Sequence, residues 1–103
     1  MKRLERDAPL PVEMQGRWID VEDSTSDLIV QGGEIICFGE AVCYDYKLVD
    51  TDDGALTVSL KMNDPAAEGA FQRANITELV ITPEGEFHAY NVKFASHFEH
   101  AES

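Results

Sequence analysis

Few residues in this 103-residue chain carry chemistry. Its three tyrosines and three histidines are the polar aromatic handles. They are Tyr44, Tyr46 and Tyr90, with His88, His97 and His100. A tyrosine or histidine in an apolar interior must find a hydrogen-bond partner, and a ligand can be that partner. His97 and His100 form a His-x-x-His pair, which on a helix shares one face and suits a metal. A catalytic zinc needs three protein ligands. Glu99 and His88 are further donors, but nothing fixes them beside the pair, so no metal site is assigned. Cys37 and Cys43 have no histidine or acid nearby in sequence to activate a thiolate, and they read as inert thiols. The acid clusters Asp20-Glu22-Asp23 and Asp50-Asp52-Asp53 lack the ligand spacing of an EF-hand. With no nucleophile–base pair, phosphate loop or metal cage, neither catalysis nor a cofactor is expected.

The elements that must position these residues read as strands. Residues 1–15 are an N-terminal arm, partly flexible, in which Pro9 and Pro11 block regular helix. Gly16-Arg17-Trp18 opens a first strand. Leu28 to Gln31, Gly32-Gly33 and Glu34 to Phe38 form the clearest hairpin signal, because Gly-Gly supplies the backbone angles of a tight primed turn. A reversal at Gly39-Glu40 leads into Ala41 to Val49. The acidic turn Thr51-Asp52-Asp53-Gly54 precedes Ala55 to Met62. Asp64 and Pro65 have the types of an N-cap and first helical residue, with Gly69 limiting that helix to about a turn or two. Asn75 to Thr82 and Phe87 to Phe94 flank a turn at Pro83-Glu84-Gly85-Glu86. Residues 95–103 are a short polar tail. The domain proper is therefore 16–94, an antiparallel up-and-down meander of about seven to eight strands closing, or nearly closing, into a small barrel.

Side chains alternate across a strand, so each turn assumption fixes a face. Pairing Gln31 with Glu34, Phe38 with Ala41 and Leu48 with Leu56 collects an apolar inner face from Leu28, Val30, Ile35, Cys37, Val42, Tyr44, Tyr46, Leu48, Leu56, Val58, Leu60 and Met62. Pairing Thr82 with Phe87 adds Leu79, Ile81, His88, Tyr90, Val92 and Phe94. On this register Trp18, Tyr44, Tyr46, His88 and Tyr90 are candidate ligand-binding residues of an internal pocket; the competing role is core residues whose polar tips reach a barrel mouth. Ile29, Ile36, Phe38, Val80 and Phe87 then point away from the core, and an apolar set on an outer face marks an interface. A second copy of the chain, or a protein partner, is its expected occupant.

Composition bounds the rest. With 44% apolar and 27% charged residues the chain is an ordinary globular domain. Its 20 acidic and 8 basic residues give a formal charge of −12, which repels phosphate backbones and anionic lipid. No nucleic acid and no membrane are expected as partners. No apolar run follows Met1-Lys2-Arg3, and a cytoplasmic location is the expectation.

Gly16-x-Trp18 opening a run of hairpins resembles the calycin group, the lipocalins and their compact bacterial relatives. In that group the motif closes the barrel base with the Trp under the core. The resemblance implies a small binding protein for an apolar or aromatic ligand. Lipocalins commonly set a late arginine against the Trp, where this chain offers Lys93. Bacterial inhibitors of secreted metalloproteases are similar in outline, with a small barrel and an N-terminal arm that enters the protease. They imply the other expected function, a protein–protein interaction domain, an inhibitor or an accessory subunit, acting through its N-terminal arm or outer apolar patch.

Overall fold

The computed structural model describes residues 2–37, 39–91, 93 and 95–101. In chain order they form β1 (Lys2–Glu5), a 3-10 helix (Val12–Met14), β2 (Gly16–Asp20), β3 (Asp23–Gln31), β4 (Glu34–Cys37) and β5 (Glu40–Ala41). There follow β6 (Tyr46–Asp52), β7 (Ala55–Lys61), α1 (Pro65–Ala74), β8 (Glu78–Ile81), β9 (Phe87–Tyr90) and β10 (Ala95–His100). All ten strands belong to one antiparallel sheet in the order β1-β6-β7-β8-β9-β10-β2-β3-β4-β5. The all-β antiparallel class is the expected one. The sheet is curled into a half-barrel and is open rather than closed, and it has more strands than the sequence suggested. The added strands come from the two ends of the chain. Residues 2–5, read as arm, pair with β6, and residues 95–100, read as tail, pair with both β9 and β2. No helix among the described residues is long and apolar enough to cross a membrane.

The β3–β4 hairpin has the expected register, Gln31 opposite Glu34, and Leu28, Val30, Ile35 and Cys37 are buried together. Two later turns differ, each by an odd number of residues, so one strand of each hairpin is turned over. In the β6–β7 hairpin Asp52 faces Ala55 and Leu48 faces Ser59, not Leu56. Asp53 (φ 52°) and Gly54 (φ 84°) form the two-residue loop. Positive φ at both positions is the type I′ turn that Asp-Gly favours. The inner face of β7 is as expected, but on β6 it carries Lys47 and Val49, while Tyr46 and Leu48 lie on the outer face. In the β8–β9 hairpin Ile81 faces Phe87, and the loop is Pro83-Glu84-Gly85, closed by Thr82 N–H to Glu86 O at 2.8 Å. Phe87 and Ala89 are therefore core, and His88 and Tyr90 are not. Val92 and Phe94, also assigned inward, lie outside the described residues.

The concave side is filled. Trp18, Leu28, Val30, Ile35, Val58, Leu60, Leu79, Phe87 and Phe98 form its floor, with Leu10, Met14, Val42, Tyr44, Phe71 and Ile76 over it. Trp18 meets Phe87 edge to face at 4.5 Å between ring centroids. Helix α1 runs nearly three turns, longer than expected, since Gly69 lowers helix propensity without ending it. Its start is as expected: Asp64 accepts from Ala66 N–H at 3.0 Å, and Pro65 takes the first position, where no N–H is needed. Asn91 donates to Gln72 O and Asn75 O, tying the far end of α1 to the end of β9. Asp64→Ala should lower stability by about 1 kcal/mol, the usual value of an N-cap. Denaturant midpoints with unchanged slope would measure it, and an unchanged midpoint would show the cap to be idle.

Candidate functional site

The five candidate ligand-binding residues do not converge on one pocket. Trp18 is buried, and its indole N–H donates to Met14 O at 3.0 Å. Tyr44 is buried, and its hydroxyl donates to Gly33 O at 2.7 Å. Tyr46 lies on the outer face under the Arg3 guanidinium, 3.8 Å from the ring centroid. His88 and Tyr90 stack on each other at 6.2 Å, also on the outer face. The candidate interface residues divide too. Ile29 and Ile36 are half-buried cross-strand partners on the outer face, and Val80 is half-buried beside His88. Phe87 is 0% exposed, which corrects its assignment to the outer face. Phe38 lies outside the described residues. The exposed large apolar side chains among the described residues are Val12 and Val21.

Two arrangements were not foreseen. The first is a polar closure under the open side of the half-barrel. Lys47 is fully buried. Its ammonium donates to Glu5 O at 2.8 Å, Arg6 O at 3.3 Å and the Tyr44 hydroxyl at 3.0 Å. Residues 5–10 thus form a strap from β1 across the β3–β4 turn. Arg6 Nη1 donates to Gly33 O at 2.7 Å, and Leu10 N–H to Gly32 O at 2.9 Å. The Gln15 amide clamps Gly32 from both sides, accepting its N–H and donating to its carbonyl, each at 2.9 Å. Burial holds the Lys47 ammonium below its ordinary range, and the Arg6 guanidinium adds to that while Asp7 opposes it. Burial pushes the Tyr44 phenol up, against the pull of Arg6. A lysine held this way is a strut, because it is fully buried and its ammonium is taken up by three acceptors of the chain itself. The Asp53-Gly54 dipeptide was the sequence signal for it, since a two-residue turn there turns Lys47 inward.

The second arrangement is on the outer face at the β9–β10 pair. His88 and His97 sit directly opposite each other, their rings nearly parallel with centroids 4.5 Å apart. Glu86, in the loop immediately before β9, places Oε1 3.3 Å from His88 Nε2. One ligand atom from each of Glu86, His88 and His97 lies within 4.8 Å of the others. His100 is not part of this group. In a strand an offset of three puts residues on opposite faces, and His100 instead packs edge-on against Trp18 at 4.9 Å. Lys93, which the calycin resemblance set against Trp18, is exposed.

Two concavities among the described residues are polar. A cleft of about 410 Å³ beside the strap is lined by Arg6, Asp7, Gln31, Gly33 and Glu34. One of about 220 Å³ lies between α1 and the β7–β9 side, with Lys61, Gln72, Thr77, Glu78, Tyr90 and Asn91 among its lining residues. Neither has the apolar walls of an ordinary small-molecule pocket. Cys37 and Cys43 are free thiols, the first buried and the second exposed. Burial, helped by Asp27, pushes the Cys37 thiol up to about 12, so it is no nucleophile at neutral pH. Comparison with known proteins finds no matching family model, curated protein or solved structure.

Proposed function

We propose that the protein is a non-catalytic interaction module of the cytoplasm that pairs, through the free edge of β1, with a second copy of itself. One observation carries this reading. The sheet ends on β1, a strand whose Lys2, Arg3 and Glu5 are exposed and whose far side has no partner strand among the described residues. Read antiparallel against itself, Lys-Arg-Leu-Glu is charge-complementary. Lys2 faces Glu5 of the second copy, and Arg3 faces its Leu4. Opposite charges directly across an antiparallel pair stabilise it by roughly 0.2–1 kcal/mol each. The arrangement is isologous, so each such pair occurs twice in a closed two-fold dimer. The edge is also the cationic part of an acidic chain, with three of the 8 basic residues in its first six positions. At the opposite edge β5 is only two residues long, too short to template a partner.

The filled interior speaks against a ligand cup. A small apolar or aromatic ligand, the other function expected from the sequence, would bind outside the core, in the cleft beside Tyr90. Kinship with calycins is likewise our reading of the fold, supported by Gly16-x-Trp18 opening β2 with Trp18 packed against Phe87. Two free thiols suit a reducing compartment.

Sedimentation equilibrium of the untagged protein from micromolar to millimolar concentration tests the dimer. A monomer–dimer equilibrium is expected, lost in Lys2→Glu and in Glu5→Lys and regained when both are combined. A monomer across that range, or a dimer indifferent to both single changes, overturns the proposal.

A further inference from the structure

We propose that Glu86, His88 and His97 form a binding site for a divalent late first-row transition metal ion, with zinc as the physiological class. The site goes beyond the pairing function, because it uses the outer face of β9 and β10 rather than the edge of β1. Three observations converge on it. The donor set is two imidazoles and a carboxylate, the ligand chemistry that selects zinc and its neighbours over calcium or magnesium. The backbone brings the donors together from separate turns of the chain: the β9–β10 register sets His97 directly across from His88, and Glu86, one residue before β9, reaches His88 from the end of the loop. The spacing is close to what a metal needs. Ligand atoms around a tetrahedral zinc, with bonds of about 2.0–2.2 Å, stand roughly 3.3–3.6 Å apart. The Glu86–His88 pair is already at 3.3 Å, and the whole group lies within 4.8 Å. Rotation of the half-buried His97 ring closes the remainder, with no change in the strands.

The surroundings favour a cation. The two rings stand nearly parallel with centroids 4.5 Å apart, so both imidazoles are already side by side for one ion. The formal charge of −12 draws cations toward the surface. Glu86 is half exposed, with 52% of its side chain accessible, so a bound ion keeps a coordination position open to solvent. Three protein ligands and one open position are the arrangement of a zinc that exchanges or binds a further ligand, not of a closed structural site.

Isothermal titration of zinc sulfate into the untagged, chelator-treated protein tests the inference, with native mass spectrometry for stoichiometry. One zinc per chain is expected, and magnesium should give no heat of binding. His88→Ala and His97→Ala should each weaken zinc binding more than about tenfold, since changing even the outer partners of a metal site costs about that much. Glu86→Gln should weaken it less. His100→Ala, on the other face, should leave it unchanged. Circular dichroism of the metal-free variants checks folding, and His97→Gln serves if His97→Ala does not fold. The inference is overturned by no zinc binding at millimolar concentration, by binding that survives the His97 substitutions, or by binding lost equally in His100→Ala. None of these outcomes depends on whether the chain dimerises.

Discussion

Lys47→Ala is expected to destabilise the protein by about 3–5 kcal/mol, the range for breaking a buried charged network and leaving a cavity behind. The residue is 0% exposed, so its aliphatic stem fills core volume, and its ammonium reaches three acceptors. Alanine removes both. Lys47→Met keeps most of the volume and should cost less than about 2 kcal/mol. The acceptors keep other bonds: Glu5 O still receives Ala8 N–H at 3.1 Å, and the Tyr44 hydroxyl still donates to Gly33 O. Arg6 O loses Lys47 but keeps the Tyr44 hydroxyl at 3.3 Å. Urea midpoints of the two variants decide the matter, and an alanine variant as stable as the wild type would show that Lys47 is no strut.

The same lysine predicts a pH dependence. Its folded-state pKa lies below the ordinary 10.5. Between those two values the unfolded chain binds more protons than the folded chain, so stability rises with pH across that window. The cost of burying the ammonium is complete below the folded value and gone above 10.5. Tyr44 acts in the opposite sense. Its phenol is raised above 10.0, so the folded chain keeps the proton longer and stability falls as pH climbs past that point. Wild type minus Lys47→Met separates the two effects, because Tyr44 is common to both proteins. That difference should grow in favour of the wild type as pH approaches 10.5. A flat difference would mean the ammonium is not desolvated.

Gly33→Ala is expected to be the second large effect, about 2–3 kcal/mol, the usual cost of forcing an atom into filled space and breaking the bonds around it. A Cβ on Gly33 would stand 2.7 Å from both Ala8 O and Arg6 O and 3.0 Å from Asp7 O. These are backbone atoms and cannot rotate away, so the strap has to lift. Lifting it breaks the Arg6 bond to Gly33 O and the Leu10 bond to Gly32 O. Gly32 is the control. It has φ 63° but open space where its Cβ would go, so Gly32→Ala should cost only about 1–2 kcal/mol of backbone strain. Tryptic cleavage after Arg6 should accelerate in Gly33→Ala and much less in Gly32→Ala. Equal stability and equal cleavage in the two would show that Gly33 serves the turn alone.

The pattern of what could be read follows from strand geometry. Alternation in Leu28 to Cys37, with a Gly-Gly turn between, has one satisfactory register, and the hairpin adopts it. At Thr51 to Gly54 two signals competed. Matching apolar Leu48 to Leu56 put Lys47 outside. The Asp53-Gly54 turn chemistry puts it inside, and the turn prevails because the strap brings carbonyl acceptors to the ammonium. At Pro83 to Glu86 a loop one residue shorter than assumed turns β9 over. That exchange buries Phe87 and delivers His88 to the outer face, where His97 waits. The His-x-x-His spacing was read for a helix, and the tail became a strand.

By itself the sequence determined the class of this protein: strand alternation, turn residues at short intervals, and a short helix capped by Asp64 make an antiparallel sheet with one apolar face. Tertiary structure alone decided that both chain ends join the sheet, that it stays open, and which side of β6 and β9 faces the core. The reason is the period of two along a strand. A loop one residue longer or shorter leaves the local pattern intact and moves every later side chain to the other face. For Lys47 the groups that then settle the choice, the carbonyls of residues 5 and 6, lie some forty residues away in the chain, where no local window reaches.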